Sequence, residues 1–155
     1  MNRPRLLFTV RGHLLALPVE QVMRVRESGP TSPLPGAHTA IHGLAACFGR
    51  VNLVLSCDVL LASGAGQVTV HDRPPLWIVL AGAAEGLILE VCSPVSFAAA
   101  GRPAPRPRGT RHLCHQGEIH TEGTAGLLSC RRLRAAVRRH AGPLSGFAMS
   151  RDLAQ

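Results

Sequence analysis

Short apolar runs separated by turn residues occupy most of the chain. The stretch RLLFTVRGHLLALPV, which begins at Arg5, contains two such runs separated by Arg11-Gly12. A two-residue break that ends in glycine is typical of a hairpin turn, so this stretch predicts two antiparallel strands. The stretch LWIVLAGAAEGLILEV, which begins at Leu76, repeats the arrangement with a longer turn. The pattern therefore indicates a mainly β protein.

Each half of the chain then predicts two further strands and a helix. The stretch AIHGLAACFGRVNLVLSC predicts two strands around a turn at Phe48-Gly49-Arg50, and DVLLA after it predicts a short helix. The stretch HLCHQGEIHTEGTAGLLSC predicts strands again. The stretch RRLRAAVRRHAG, which begins at Arg131, places its apolar side chains on one helical face, and Gly142-Pro143 end the helix. The proline-rich stretches SGPTSPLPG and AAAGRPAPRPRG predict loops.

The two halves carry these features in the same order, which indicates a duplication. The matches have sequence offsets of 70 (Leu6 with Leu76, Gly12 with Gly82), 74 (His42-Gly43 with Gln116-Gly117, Gly49 with Gly123) and 73 (Ser56-Cys57 with Ser129-Cys130, Leu60 with Leu133). We therefore expect two similar modules, approximately residues 5–70 and 71–140. Small modules of about five short strands are commonly barrels of the SH3 or OB type.

Charge is distributed unevenly along the chain. The net charge is +8, and all 17 basic residues are arginines. Nine of them lie between Arg102 and Arg139, where the only acidic residues are Glu118 and Glu122. Such a segment fits a solvated helix face, an acidic protein partner or nucleic acid. Four Phe, one Trp and no Tyr leave few platforms for base stacking, so nucleic acid is the least favoured partner.

Cysteine usage and hydropathy favour a cytoplasmic protein. The five cysteines form no C-x-x-C motif, and no secretory segment is predicted, so we expect free thiols in a reducing compartment. The longest apolar stretch, residues 76–92, is interrupted by Glu85 and Glu90. Because carboxylates are unfavourable inside a bilayer, no direct membrane insertion is expected.

The repeated Ser-Cys pair is open to several interpretations: nucleophiles, paired thiols, metal ligands or a duplicated structural step. Ser56 and Ser129 lack a G-x-S-x-G context and each precedes a helix, which favours a role as helix caps. Cys57 and Cys130 are predicted to pack in the core, with a disulfide between them as the alternative. No acid–base pair or phosphate-binding loop is apparent, so we expect no enzymatic activity and no cofactor.

The stretch HLCHQGEIH contains weak candidates for zinc ligands. His112 and Cys114 would share one face of a strand, and His120 is the third candidate ligand in the same stretch. Their spacing matches no standard zinc module. We therefore interpret the stretch as a surface strand that is rich in histidine by chance, and no metal site is predicted.

Taken together, the chain resembles the CheW-like domain, the bacterial adaptor that couples chemoreceptors to the CheA histidine kinase. The resembling stretches are LLFTVRGHLLALPVEQVMRVRE, IHGLAACFGRVNLVLSC and LWIVLAGAAEGLILEVCSPV. The resemblance spans residues 5–140 and leaves 141–155 as a tail. It implies two intertwined five-stranded SH3/OB-like barrels, with a short helix after the first half and a C-terminal helix.

The resemblance also implies a function and partners. It implies a non-enzymatic adaptor in a chemotaxis or chemosensory array, located in the cytoplasm at membrane-associated receptors. Its partners would be the regulatory domain of a CheA-type kinase and the cytoplasmic tip of methyl-accepting receptors. A basic OB-like nucleic-acid-binding protein is the alternative that the arginine distribution keeps open.

The motif before the turn glycine departs from the family, as does Ser56, where the family has Asp at the start of the short helix. Where CheW-like domains have Asn-Leu-Arg before the turn glycine, this chain has Ala46-Cys47-Phe48. In the family that arginine lies at the partner-binding surface, so the resemblance implies that Phe48, Gly49 and Arg50 contact a partner. The alternative is an ordinary hairpin with an apolar tip. Arg50 is a candidate to replace the missing charge, although its side chain is expected to face a different direction.

Overall fold

The computed structural model describes residues 3–61 and 73–141. The strands are β1 (Arg5–Val10), β2 (His13–Pro18), β3 (Val22–Glu27), β4 (Ile41–Cys47), β5 (Arg50–Ser56), β6 (Leu76–Leu80), β7 (Leu87–Val91), β8 (Ser96–Ala98), β9 (Arg102–Ala104), β10 (Cys114–His120) and β11 (Gly123–Leu128); the helices are α1 (Cys57–Leu61) and α2 (Cys130–Ala141). The prediction of a mainly β protein with these two helices is confirmed. Apart from Ala141, which ends α2, the predicted tail lies outside the described residues.

The strands form two sheets, and each half of the chain contributes to both. One sheet has six strands in the order β8-β1-β2-β11-β10-β9, and the other has five in the order β3-β6-β7-β5-β4. The first hairpin of each half therefore pairs with strands of the opposite half, through parallel contacts between β2 and β11 and between β7 and β5. This exchange is the predicted intertwining.

Both sheets close on themselves. Strands β8 and β9 lie at opposite edges of the six-stranded sheet, yet only residues 99–101 separate them in sequence. Since such a link spans at most about 14 Å, the two edges lie close together. In the other sheet, β3 and β4 are the two edge strands. A few residues after β3, the chain pairs with β4 through the bridge between Ser32 and Leu44. Each sheet is thus a small barrel.

The strand registers define the duplication residue by residue. Adding 72 to the β1–β2 register gives the β6–β7 register, and adding 73 to the β4–β5 register gives the β10–β11 register. The predicted offset of 73 is therefore confirmed, whereas the offsets of 70 and 74 are wrong. The β6–β7 turn is longer than the Arg11-Gly12 turn and includes a 3-10 helix, so glycines aligned in the sequence occupy different turn positions.

The proline-rich stretches are not only loops. Ser32 of the first stretch forms the bridge to Leu44, and residues of the second form β9. The prediction of loops missed both pairings because proline disfavours a sheet ladder. Pro103 is tolerated because β9 lies at the end of its sheet and pairs with β10 on one side alone.

Buried apolar side chains form three clusters. The largest takes residues from both sheets and from both helices, and includes Leu6, Leu17, Ile78, Leu89 and Leu133. A smaller cluster fills each barrel: Ala45, Cys47, Val54, Trp77, Val79 and Ile88 in the five-stranded barrel, and Leu7, Ala16, Ala125 and Leu127 in the six-stranded barrel. The alternation of side chains along each strand thus supplies a barrel interior and a shared core between the barrels.

Candidate functional site

The tight turn between β4 and β5 has the backbone geometry that a two-residue hairpin requires. Phe48 and Gly49 both have positive φ angles, 54° and 71°. This conformation matches the twist of the flanking strands but is unusual for a residue with a bulky side chain. The buried side-chain amide of Asn52 donates hydrogen bonds to the carbonyls of Cys47 and Arg50, both at 3.3 Å. These bonds hold the turn and thereby fix the direction of the Phe48 side chain.

Phe48 lies on the surface with a guanidinium group on its ring. Its side chain is 47% exposed, and the guanidinium of Arg24 from β3 lies 5.6 Å from the ring centroid. Two more exposed apolar residues lie nearby in sequence: Met23 precedes Arg24 in β3, and Val51 is in β5, which follows the turn. We define the seam surface as Met23, Arg24, Phe48, Arg50 and Val51. An apolar surface that contains a cation is typical of a protein contact site.

Arg50 points toward the other hairpin of the same barrel. Its guanidinium forms an ion pair with Glu85 in the β6–β7 turn, and both side chains are partly exposed. Exposed ion pairs contribute little to stability, so this one mainly sets the direction of the two side chains. Arg50 therefore does not cover the ring of Phe48, whereas Arg24 does.

An irregularity in β3 accompanies the placement of Arg24. The pairing of β3 with β6 shifts register between Val22 and Arg24, which makes Met23 the extra residue of a bulge. Bulges change the direction of the side chains that follow them. Arg26, two residues on, lies over the Trp77 ring and donates to the Cys47 sulfur at 3.7 Å. Two arginines from β3 thus contact residues of other strands where the barrel closes.

The two Ser-Cys pairs occupy matching places. Ser56 is the last residue of β5, and Ser129 directly follows β11. Their backbone amides donate to the carbonyls of Ala40 and Leu113, respectively, both at 2.9 Å. The hydroxyl of Ser129 accepts a bond from the Arg132 amide at 3.3 Å, which is the geometry of a helix N-cap. No cap bond to the Ser56 side chain is seen among the described residues.

The cysteines that follow are buried free thiols. Burial raises the pKa of the Cys57 thiol, and it raises that of Cys130 to about 11. Thiols with raised pKa values are poor nucleophiles. All five cysteines lie in the described residues and none is in a disulfide, so the alternative of a Cys57–Cys130 disulfide is not observed.

The three weak zinc candidates are held by different partners. His112 Nε2 lies 2.7 Å from the Leu60 carbonyl, at the end of α1. Cys114 is buried, and burial raises its pKa to about 11. His120 Nε2 lies 3.1 Å from Glu118 inside the six-stranded barrel. Within residues 3–61 and 73–141, no group of three His, Cys, Asp or Glu side chains is placed to hold a metal ion.

Glu118 is the centre of a buried charged cluster that the sequence did not indicate. Its carboxylate is 3% exposed and accepts bonds from Arg5 Nη2 at 2.8 Å and Arg5 Nε at 3.1 Å. It also accepts a bond from the Gly101 amide at 3.4 Å and contacts His120. Burial alone would raise the pKa of Glu118, but the contacts with Arg5, Gly101 and His120 hold it below its usual value. This cluster is a structural element because it is enclosed and its members bond one another.

Two intertwined barrels, each completed by a hairpin from the other half of the chain, make up the fold of this protein. The solved structure of the scaffolding protein TtCheW from Thermoanaerobacter tengcongensis superimposes with a TM-score of 0.69, at 14% identity, over 83% of this chain and 90% of that chain. The predicted CheW-like fold is therefore confirmed. No family model and no curated protein matches the chain. No helix in the described parts of the chain is long and apolar enough to cross a membrane.

Proposed function

We propose that the protein is a non-enzymatic adaptor that couples chemoreceptors to a CheA-type histidine kinase in a chemotaxis or chemosensory array. The observation that carries the proposal is the CheW-like fold, which covers 83% of the chain. The buried thiols of Cys57 and Cys130 and the enclosed Glu118 cluster are consistent with a binding protein. The domain would span residues 5–140 and act in the cytoplasm, at membrane-associated receptor arrays.

The adaptor would act by assembly. In this account Phe48, Gly49 and Arg50 contact one partner, and a second surface of the molecule contacts the other. The partners are the regulatory domain of the kinase and the cytoplasmic tip of a methyl-accepting receptor. Because both are held on one rigid pair of barrels, a change in the receptor would alter the environment of the kinase.

Binding assays with purified fragments test the proposal directly. The kinase regulatory domain and the receptor tip from the same genome are each titrated against the full chain by isothermal calorimetry. We expect both to bind, and we expect Phe48→Ala to weaken one of the two interactions by about 10-fold or more, as is typical of a central interface side chain. If well-folded protein binds neither fragment, the proposal is wrong.

One observation favours a second candidate function, the binding of nucleic acid. Residues 102–139 hold nine arginines and two glutamates, a net charge of +7 out of the chain's +8. None of these nine arginines is in an ion pair among the described residues, and Glu118 is already bonded to Arg5. Gel-shift assays at several salt concentrations test this function, because phosphate contacts make the affinity fall steeply with salt. An absence of shifted species at low salt would exclude it.

A further inference from the structure

We infer that Arg24 and Phe48 form one recognition element, which binds a protein segment that places an acidic side chain beside an apolar one. The inference rests on the proposed adaptor function and names the chemistry of the partner that the seam surface takes. Arg24 lies 24 residues before Phe48, on another strand, and the two meet only because the five-stranded barrel closes. Arg24 would therefore determine specificity by selecting a partner segment with an acidic side chain.

The guanidinium of Arg24 is oriented by Phe48 and exposed to solvent. Its contact with the ring orients one face of the guanidinium, because a cation is attracted to the face of an aromatic ring. The carboxylates of the described ion pairs belong to Glu20, Glu85, Glu90 and Glu118, which pair with other residues. A guanidinium that is oriented, exposed and not paired with a carboxylate of the described chain suits a bidentate contact with a partner's carboxylate.

Exposed apolar residues lie near this pair in sequence, since Met23 adjoins Arg24 and Val51 lies three residues after Phe48. Met23 is 44% exposed, Phe48 47% and Val51 64%, which makes them three of the most exposed large apolar residues among those described. An apolar side chain of the partner would remove part of this area from water, which favours association. The charge of neighbouring Arg50 is balanced by Glu85. The seam surface therefore lacks the concentrated positive charge of residues 102–139 and is less suited to a phosphate backbone.

The side chains of Arg24 and Phe48 are already ordered before a partner binds. Asn52 fixes the turn from inside the barrel, the bulge at Met23 sets the direction of β3, and Arg50 is tied to Glu85. A surface with its side chains already ordered loses less conformational entropy on association. The ring and the guanidinium are consequently presented as one unit.

Charge reversal tests the inference. Whichever fragment, kinase regulatory domain or receptor tip, loses affinity in Phe48→Ala is titrated against Arg24→Glu, Arg24→Lys and the matched control Arg102→Glu. Arg102 is an exposed arginine in β9 of the other barrel. We expect Arg24→Glu to weaken binding by about 30-fold, as a hot-spot residue does, Arg24→Lys to weaken it by less, and Arg102→Glu to stay within about 2-fold of wild type. Equal effects of Arg24→Glu and Arg102→Glu would overturn the inference.

A rescue experiment distinguishes recognition from misfolding. Asp and Glu residues of the bound fragment are replaced singly by Arg, and each variant is titrated against Arg24→Glu. One of them should recover at least about 10-fold of the lost affinity, because opposite charges then face each other again. Rescue by none of them overturns the inference but leaves the adaptor function intact. If the wild-type chain binds neither fragment, both are wrong.

Discussion

The two barrels have the same strand arrangement but different interiors. Under the registers described above, Arg5, Glu118 and His120 of the six-stranded barrel correspond to Trp77, Ala45 and Cys47 of the five-stranded barrel. One barrel interior is thus closed by a charged cluster, and the other by a tryptophan with two small side chains. The duplicated backbone accepts either solution as long as volume is filled and each polar group is bonded.

The two barrel interiors are expected to respond differently to substitution. A buried ion pair adds little over a well-packed apolar group, but removal of one member leaves an unpaired charge. Trp77 instead contributes apolar contacts, plus one hydrogen bond from Nε1 to Glu90 at 2.9 Å. We therefore expect the charged interior to be less tolerant of a single substitution than the apolar one.

Removal of the central carboxylate should have the largest effect. Glu118→Ala leaves the charge of Arg5 without its buried partner, and we expect a loss of about 3–5 kcal/mol in the free energy of unfolding, measured by urea denaturation. The double variant Arg5→Met/Glu118→Leu should lose less, because it removes both charges. If the double variant is the less stable of the two, the comparison between charged and apolar interiors is incorrect.

A smaller loss is expected in the five-stranded barrel. Trp77→Phe keeps an aromatic ring but removes the hydrogen bond to Glu90. The other carboxylate oxygen of Glu90 contacts His42. We expect a loss of about 2 kcal/mol in the free energy of unfolding, again by urea denaturation. Glu90→Gln serves as the control, since it preserves shape while weakening the same bond. A loss in Trp77→Phe as large as that in Glu118→Ala would show that the two interiors are equally sensitive.

The helix starts provide a third comparison between the halves. Ser129→Ala removes the hydroxyl that accepts from the Arg132 amide, and we expect a loss of about 1 kcal/mol in unfolding free energy. Ser56→Ala, at the matching position before the five-residue α1, should lose less. Both are measured by thermal denaturation. Equal losses would indicate that Ser56 caps α1 as well.

The smallest effect expected is a pH dependence confined to the charged barrel. The pKa of Glu118 is lowered in the folded state, so its contribution to stability is present above the ordinary carboxyl pKa and is lost as the pH falls through the folded value. Unfolding measured from pH 6 to pH 3 should therefore show a steeper loss in the wild-type protein than in Glu118→Gln. Parallel curves would contradict the assignment of this carboxylate as ionised.

Local patterns in the sequence predict the elements but not their partners. The hairpins at Arg11-Gly12 and Phe48-Gly49 follow from alternating apolar residues and glycine turns, and both are observed. The exchange of hairpins between sheets depends on pairings that are distant in sequence, and only the family resemblance implied it. The offsets of 70 and 74 were wrong because they align glycines that occupy different turn positions in the two halves. In the strand registers, for example, Gly123 takes the place of Arg50 and not that of Gly49.

The candidate site was predictable only in part. Phe48, Gly49 and Arg50 were found through the family motif, and their partner contacts stay a prediction. Arg24 gave no signal, because its contact with Phe48 exists only after the barrel closes. The sequence predicts a surface strand around Glu118, because charged residues are seldom buried without a partner. Glu118 is buried because it pairs with Arg5, which lies 113 residues away in the sequence.

Co-sedimentation of kinase with receptor membranes tests the adaptor role most directly. Vesicles that contain the receptor are mixed with the CheA-type kinase and pelleted, with and without this protein. We predict that the kinase enters the pellet when the wild-type protein is present and that Arg24→Glu and Phe48→Ala largely abolish this recruitment, while Arg102→Glu does not. A pellet with the same amount of kinase whether or not the protein is added would contradict the account.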